Sequence, residues 1–483
     1  MKKILIDPIT RLEGHGKISI FLNEGGEVEN AYFQVPELRG FERFCIGRKA
    51  EDMPLLTSRI CGVCPVAHHH AGAKALDAAF NVEPPSAAKK LRELMYCGYY
   101  IYDHTLHFYY LGGPDFIVGP EAPPEKRNII GVIEKAGLDV GKEVIKHRAY
   151  GQRVTELIGG KATHPVCGLP GGMSKPLSEE NRQEIEKMVA SSVEFAKFTL
   201  KLFHDIVLEN TKYVDMIKSD AYTLKTYYMG LVDKNNKVNF YDGKVRVVNP
   251  NGNEFLKFSA EDYLDNIAER VEEWTYVKFP YLKKVGWKGF VDGVNNGVYR
   301  VGPLGRLNAS DGVATPLAQE EYKLMCKTLG KPVHSTLAFH WARLIELLYA
   351  AERAAELCKD PEITSTKVRN RPGEPGEGVG IVEAARGTLI HHYVLDKDAL
   401  VRDVNLIVAT INNYPAICMS IRNAAKGLIH DNNVSEGLLN KVEMAFRAYD
   451  PCFGCASHFA IGQMPLTVEI YNHKSKLIKT VQR

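Results

Sequence analysis

Two Cys-x-x-Cys pairs stand at opposite ends of the 483-residue chain: Cys61 and Cys64 within RICGVCPVAHHH, and Cys452 and Cys455 within DPCFGCASH. Two intervening residues let both sulfurs of a pair reach one ion, and thiolate is the soft donor that selects zinc, copper(I), or iron–sulfur and nickel-type sites. Each pair is therefore half of a metal site. Zinc ribbons bring their pairs together across about 15 to 20 residues, whereas here nearly the whole chain lies between Cys64 and Cys452. A thioredoxin-like redox pair needs a βαβ context that neither flank offers. Two separate small sites or one shared site closed across the core remain as alternatives. The other cysteines, Cys45, Cys97, Cys167, Cys326, Cys358 and Cys418, are scattered singly and fit small buried hydrophobes.

Other polar residues are ambiguous when taken one at a time. Glu42 alone is an ordinary surface carboxylate, and Asp103 with His107 is an i, i+4 pair suited to a structural hydrogen bond. His68, His69 and His70 are consecutive, so their side chains diverge on any regular element and do not make a site by themselves.

The elements that must carry these residues follow from periodicity. KISIFLNEGGEVENAYFQV alternates apolar and polar residues around Gly25-Gly26, a hairpin pattern. From Pro85 the spacing becomes helical, with Ser86 as candidate cap, up to Gly112-Gly113. A long amphipathic helix follows Ser178, with Ile185, Met188, Val189, Val193, Ala196, Leu200 and Phe203 on one stripe. Residues from about 221 to 310 break into short β-branched and aromatic runs between turns such as KNNK and NPNGN. Helical spacing returns from Pro316 to Cys358, and RNRPGEPGEGVG then interrupts it before EAARG. The expected fold class is α+β, helix-dominated: a large central helical bundle with peripheral β-sheet elements. The expected segments are 1–84 (strands and first Cys pair), 85–220 (helical core), 221–310 (strand-rich insertion), 311–458 (helical core with the second pair) and 459–483 (C-terminal extension).

Composition narrows the class. With 45% apolar and 25% charged residues the chain can bury a large core. A formal charge of +3 gives no ground for a nucleic-acid or membrane-surface partner. Asp7 and Pro8 interrupt the N-terminus before any signal-length apolar core, and no run of about 18 apolar residues occurs. A cytoplasmic protein with reduced thiols is expected.

RLEGH at Arg11–His15, RGFE at Arg39–Glu42, RICGVCPVAH at Arg59–His68, DHTLHFY at Asp103–Tyr109, EAARG at Glu383–Gly387 and DPCFGCASH together resemble the large, catalytic subunit of nickel-iron hydrogenases, over nearly the whole chain from Asp7 to His458. AHHHAGAKALDAAF and LGGPDFIVGP are most similar to the cytoplasmic methyl-viologen-reducing branch of methanogens. The resemblance implies that Cys61 and Cys452 are terminal thiolates on nickel, while Cys64 and Cys455 bridge nickel to an iron carrying carbon monoxide and cyanide. It implies that His68 hydrogen-bonds this centre, and that Glu42, His458 and the backbone carbonyl of Ile407 hold a magnesium ion. Arg386 would sit over the open metal position, oriented by Asp103 and Asp450, and Glu13 would take a proton from Cys452. These roles suit the residue types. A thiolate beside an electrophilic metal is a base within reach of dihydrogen, a shielded carboxyl can relay a proton near neutral pH, and a guanidinium fork can be fixed by two carboxylates. EAARG has Ala385 where the commoner family form, EAPRG, has proline.

The resemblance also implies a maturation protease that removes the extension after His458, although LTVEIY in that extension alternates well enough for a permanent strand. The isolated cysteines cannot form an iron–sulfur relay. An iron–sulfur small subunit is therefore expected, and in the methanogen branch heterodisulfide reductase together with an electron-transfer subunit. The rivals are a hydrogen sensor with the same ligands, a quinone-reductase-type subunit of the same fold, which lacks the metal cysteines, and a zinc-stabilised structural protein.

Overall fold

Alternating apolar residues fold the N-terminal stretch into a three-stranded antiparallel sheet, β1 (Lys2–Ile6), β2 (Lys17–Leu22) and β3 (Val28–Gln34), in that order. Gly26, at φ 83°, takes the left-handed conformation in the β2–β3 turn. Ile18, Ile20, Leu22 and Phe33 face the core. The structure, a computed structural model, describes residues 2–457 and, in the C-terminal stretch, the backbone of 467–471 and 477–482.

Short helices α1 (Phe41–Cys45) and α2 (Met53–Ser58) lead to α3 (Pro65–Ala79), which begins directly after Cys64. Pro65 opens the first turn, where its missing N–H costs no hydrogen bond. Three long helices follow: α4 (Ser86–Leu106), α5 (Leu138–Gly159) and α6 (Glu179–Phe203). Ser86 is the first helical residue rather than the cap; Pro85 holds the cap position and Ser86 Oγ donates to Glu362 Oε2 at 2.6 Å. Glycines set the α4–α5 crossing: a Cβ on Gly98 would lie 2.7 Å from Val154 Cγ1, and one on Gly151 2.5 Å from the Gly98 carbonyl oxygen. In α6 the buried stripe includes Ser192 and Thr199, whose hydroxyls donate to the Met188 and Phe195 carbonyls, whereas Val193 is only partly buried.

In the next segment β4 (Tyr227–Val232), β5 (Lys244–Val248), β6 (Glu254–Phe258) and β7 (Tyr299–Arg300) form a sheet of order β7-β4-β5-β6, parallel only between β7 and β4. β4 is buried at every residue. The chain continues into α7 (Gly302–Ala309), α8 (Pro316–Leu329) and α9 (Phe339–Cys358). The periodic stretch from Pro316 to Cys358 is thus two helices, because Gly330 at φ 86° ends the first and Pro332 follows. α9 packs on α4 and α6, and α5 closes the bundle against α4 and α6.

After the glycine-rich stretch come β8 (Glu377–Ala384), β9 (Gly387–Leu395) and β10 (Val401–Ile407), an antiparallel sheet in sequence order. Gly378 and Gly380 let β8 press directly on α3, since a Cβ on either would overlap backbone atoms of Ala71, Ala75 or Ala79. The last described elements are α10 (Ala409–Leu428), α11 (Glu436–Arg447), the single turn α12 (Phe453–Ala456), and an antiparallel pair, β11 (Thr467–Tyr471) and β12 (Leu477–Gln482). Among the described residues no helix is long and apolar enough to cross a membrane. The architecture is α+β and helix-dominated.

Gly380→Ala should force β8 away from α3 and cost about 1–3 kcal/mol, while Gly376→Ala, whose Cβ would meet only the Ala79 carbonyl oxygen at 3.5 Å, should be near neutral. Thermal unfolding checks this; equal midpoints for the two variants would contradict the close approach.

Candidate metal centre

Each Cys pair sits at the start of a helix: Cys64 directly precedes α3, and Cys452 directly precedes α12, which contains Cys455. The two starts are held together by backbone. Glu13 and Cys452 form a parallel bridge, and the Phe453 N–H donates to the Glu13 carbonyl at 3.0 Å. Arg39 ties both motifs, its Nη1 donating to the Ile60 carbonyl at 2.6 Å and the Gly454 carbonyl at 2.7 Å, while its own N–H donates to the Ser457 carbonyl. Asp450, at φ 58°, turns the chain into the second motif, and the Cys452 N–H donates to Thr410 Oγ1 at 3.0 Å.

The four sulfurs lie within 4.8 Å of one another and all four residues are buried. Cys61 Sγ is 3.3 Å from Cys452 Sγ, Cys64 Sγ is 3.3 Å from Cys455 Sγ, and Cys452 and Cys455 are 2.9 Å apart, with every cysteine free. The chain ends thus make one site, and it is the one such ligand group among the described residues. Electrostatics show what this arrangement lacks. Hydrogen bonds from Cys452, Cys455 and Cys64 pull the Cys61 thiol well below its ordinary pKa, while burial pushes Cys452 and Cys455 well above theirs. One thiolate is sustained by its neighbours' protons; four together in this dry space need a cation. The donor set therefore fits a soft metal centre.

The remaining candidates surround this group. Cys452 Sγ donates to Glu13 Oε2 at 2.9 Å, and the Gly454 N–H donates to the same oxygen at 2.9 Å. A Cβ on Gly454 would stand 2.5 Å from Glu13 Oε1, so a larger residue there would push the carboxylate aside. Burial, helped by the Cys61 charge, pushes the Glu13 carboxyl up. Arg386 pairs with Asp103 at 3.1 Å and with Asp450 at 2.9 Å, all three buried. Burial opposes the Arg386 charge, and the two aspartates outweigh it and raise its pKa; burial likewise pushes Asp450 up against the pull of Arg386.

His68 is fully buried on α3, with Nε2 unpartnered among the described residues. His69 is spent on structure: its Nδ1 meets the Pro54 carbonyl and its Nε2 accepts the Gly168 N–H. Glu42 is buried on α1, and its Oε1 accepts the Leu406 N–H at 2.9 Å, so Glu42 and the backbone beside Ile407 come together. His458 lies outside the described residues.

Sequence reasoning missed the scaffold of Arg386. Ala385 and Arg386 form the two-residue turn between β8 and β9, with Ala384 opposite Gly387. Fully buried Arg306 on α7 donates to the Ala384 and Ala385 carbonyls at 2.7 and 3.2 Å and pairs with Glu346 and Glu383. The Ala385 N–H donates to Tyr99 OH at 3.1 Å, a bond that proline could not make, so rigidity here comes from hydrogen bonding rather than from a ring. The signal was present in FHWARLIELLYAA, where Arg343 and Glu346 interrupt a helix that is apolar on every side; such charges must be paired inside.

Tyr99→Phe should leave the Ala385 N–H buried without an acceptor, at a cost of about 1–3 kcal/mol. Amide hydrogen exchange across 384–387 should accelerate; unchanged protection would contradict this role for Tyr99.

A family pattern described as nickel-dependent hydrogenase matches residues 39–123 and 293–458, and a second, described as HoxL-like, matches residues 3–38. An F420-non-reducing hydrogenase iron-sulfur subunit of Archaeoglobus profundus is 50% identical over 485 residues, covering 100% of both chains. An F420-non-reducing hydrogenase subunit of Methanothermobacter thermautotrophicus is 41% identical over 488 residues, again with 100% of each chain covered. The crystal structure of an NAD+-reducing [NiFe]-hydrogenase in the H2-reduced state superposes with a TM-score of 0.89 at 36% identity, covering 95% of this chain and 100% of that one. With its four sulfurs gathered into one buried site, this chain belongs to the nickel-dependent hydrogenase family.

Proposed function

We propose that Cys61, Cys64, Cys452 and Cys455 hold a nickel–iron centre whose iron carries carbon monoxide and cyanide, and that the chain is the catalytic subunit of an oxidoreductase acting on hydrogen. The observation that carries this is the convergence of four buried sulfurs within 4.8 Å. When bound, such a centre supplies an electrophilic metal at which dihydrogen is split heterolytically.

The chain's own residues do the rest. Cys452 Sγ accepts the released proton and passes it to Glu13 Oε2, 2.9 Å away. Burial keeps the Glu13 carboxyl basic enough to receive it, and only partial burial leaves it a way out. Arg386, held by Asp103 and Asp450, keeps a fixed positive charge within electrostatic reach of Cys452. Full burial of the cysteines excludes water. His68, Glu42, Ile407 and His458 complete the assignment, the first as a donor to the thiolates, the others around a magnesium ion; the contact of Glu42 with the Leu406 N–H supports that grouping.

Electrons leave through another polypeptide, because among the described residues no second ligand group exists to carry them. An iron–sulfur small subunit takes that role, and the naming of the relatives as subunits of F420-non-reducing hydrogenases supports a larger assembly. We assign to that assembly heterodisulfide reductase together with an electron-transfer subunit, in the cytoplasm. We further assign residues 459–483 to an extension that a maturation protease removes, freeing His458 as a terminal ligand.

Glu13→Gln should retain nickel while slowing isotope exchange between deuterium gas and water by about 10²-fold or more; exchange at the parent rate would remove Glu13 from the route. Cys452→Ser should abolish nickel loading and leave the extension uncut by intact-mass measurement, whereas a nickel-loaded, trimmed variant would refute its place in the ligand set.

A further inference from the structure

Asp115, buried in the short helix Pro114–Ile117 beyond α4, is a carboxylate with three donors. Its Oδ1 accepts from Arg11 Nη2 at 2.6 Å and from Asn440 Nδ2 at 3.1 Å, and its Oδ2 accepts from Arg447 Nη1 at 2.7 Å. Asn440 Oδ1 sits between the same two guanidiniums, 3.0 Å from Arg11 Nη2 and 3.2 Å from Arg447 Nη1. Arg11 Nη1 also donates to the Leu111 carbonyl at 3.0 Å, while Arg447 Nη2 pairs with Glu443 and reaches the Thr10 carbonyl at 3.4 Å. Burial disfavours the Asp115 charge, and Arg447 and Arg11 outweigh it and lower its pKa. Arg11 has no second ion-pair partner among the described residues, so its charge depends on Asp115.

The two arginines lead into the two sides of the Glu13–Cys452 bridge. Arg11 stands two residues before Glu13, and Asp450 stands two residues before Cys452. The Asp450 N–H donates to the Arg447 carbonyl at 3.0 Å, and His107 Nε2 donates to that same carbonyl at 2.9 Å. Each segment thus enters the bridge through a residue with a Cβ in the left-handed region, Arg11 at φ 59° and Asp450 at φ 58°. Aspartate adopts that region readily enough, but an arginine there is uncommon and must be held. The paired entry matters because the residues just beyond it place the thiol of Cys452 2.9 Å from Glu13 Oε2. A misplacement of about 1 Å between reacting groups can cost about 10²-fold in rate.

We propose that Asp115 is a positioning residue: by gripping Arg11 and Arg447 together it sets the register of the Glu13 segment against the Cys452 segment, and with it the sulfur-to-carboxylate distance. The effect on proton transfer rests on the route proposed above; the register does not. Arg11→Gln is the milder test, since it leaves Asp115 paired with Arg447, and Asp115→Asn is the stronger one. The first readout is amide hydrogen exchange of Phe453 and Gly454, whose N–H groups bond to the Glu13 carbonyl and to its Oε2. In the purified enzyme, with or without nickel, that exchange should rise about tenfold or more in Arg11→Gln and further in Asp115→Asn. In nickel-loaded samples, isotope exchange between deuterium gas and water, counted per nickel, should fall about tenfold or more in each variant. Adding either change to Glu13→Gln should bring no further loss, because both act through Glu13. If Asp115→Asn does not fold, Arg11→Gln alone decides. Unchanged exchange of the two amides in folded Arg11→Gln, or a loss of isotope exchange that multiplies with that of Glu13→Gln, would overturn the proposal. A parent enzyme without nickel would count against the metal centre, while the Phe453 and Gly454 amides still decide the register.

Discussion

Four sulfurs held within 4.8 Å of one another in a buried site are the constraint around which this molecule is organised. Without a cation their ionised forms repel, and the hydrogen bonds among them sustain one thiolate at most, as the opposite shifts of Cys61 and Cys452 express. The protein must hold that arrangement against repulsion using parts drawn from both chain ends. It does so with backbone and one guanidinium: the Glu13–Cys452 bridge aligns the two segments, and Arg39 binds a carbonyl from each Cys motif.

A second layer of charge orders what lies beside the sulfurs. Arg306 is buried with Glu346 and Glu383 and grips the turn that carries Arg386, which is itself held by Asp103 and Asp450. Arg343, its pKa lowered to about 10 by burial against the pull of Asp450, adds a further cation and donates to the Ala448 carbonyl just before the second motif. Buried ion pairs contribute little net stability but fix geometry, because breaking one leaves an uncompensated charge. Here they fix a guanidinium within electrostatic reach of Cys61 and Cys452.

Much of this was legible in the chain. The Cys pairs stood out by their spacing, Glu13, Arg386 and the aspartates only through the family resemblance, and the structure brings them together. The α4 and α6 helices declared themselves by period, since one face of each is apolar. The sheet β8-β9-β10 was not legible, because Gly378 and Gly380 resemble loop punctuation until α3 is seen lying on them. The Arg306–Glu346 clamp was hidden for a related reason: pairing of charges 40 residues apart is a tertiary fact that no local period records.

The account stands on one shared nickel–iron centre. Nickel K-edge X-ray absorption on the purified complex tests it most directly. It should show nickel bound by cysteine sulfur with an iron neighbour close by, and that signal should vanish when either Cys61 or Cys455 is replaced by serine. Zinc in place of nickel, or sulfur ligation that survives loss of one of the two pairs, would contradict it.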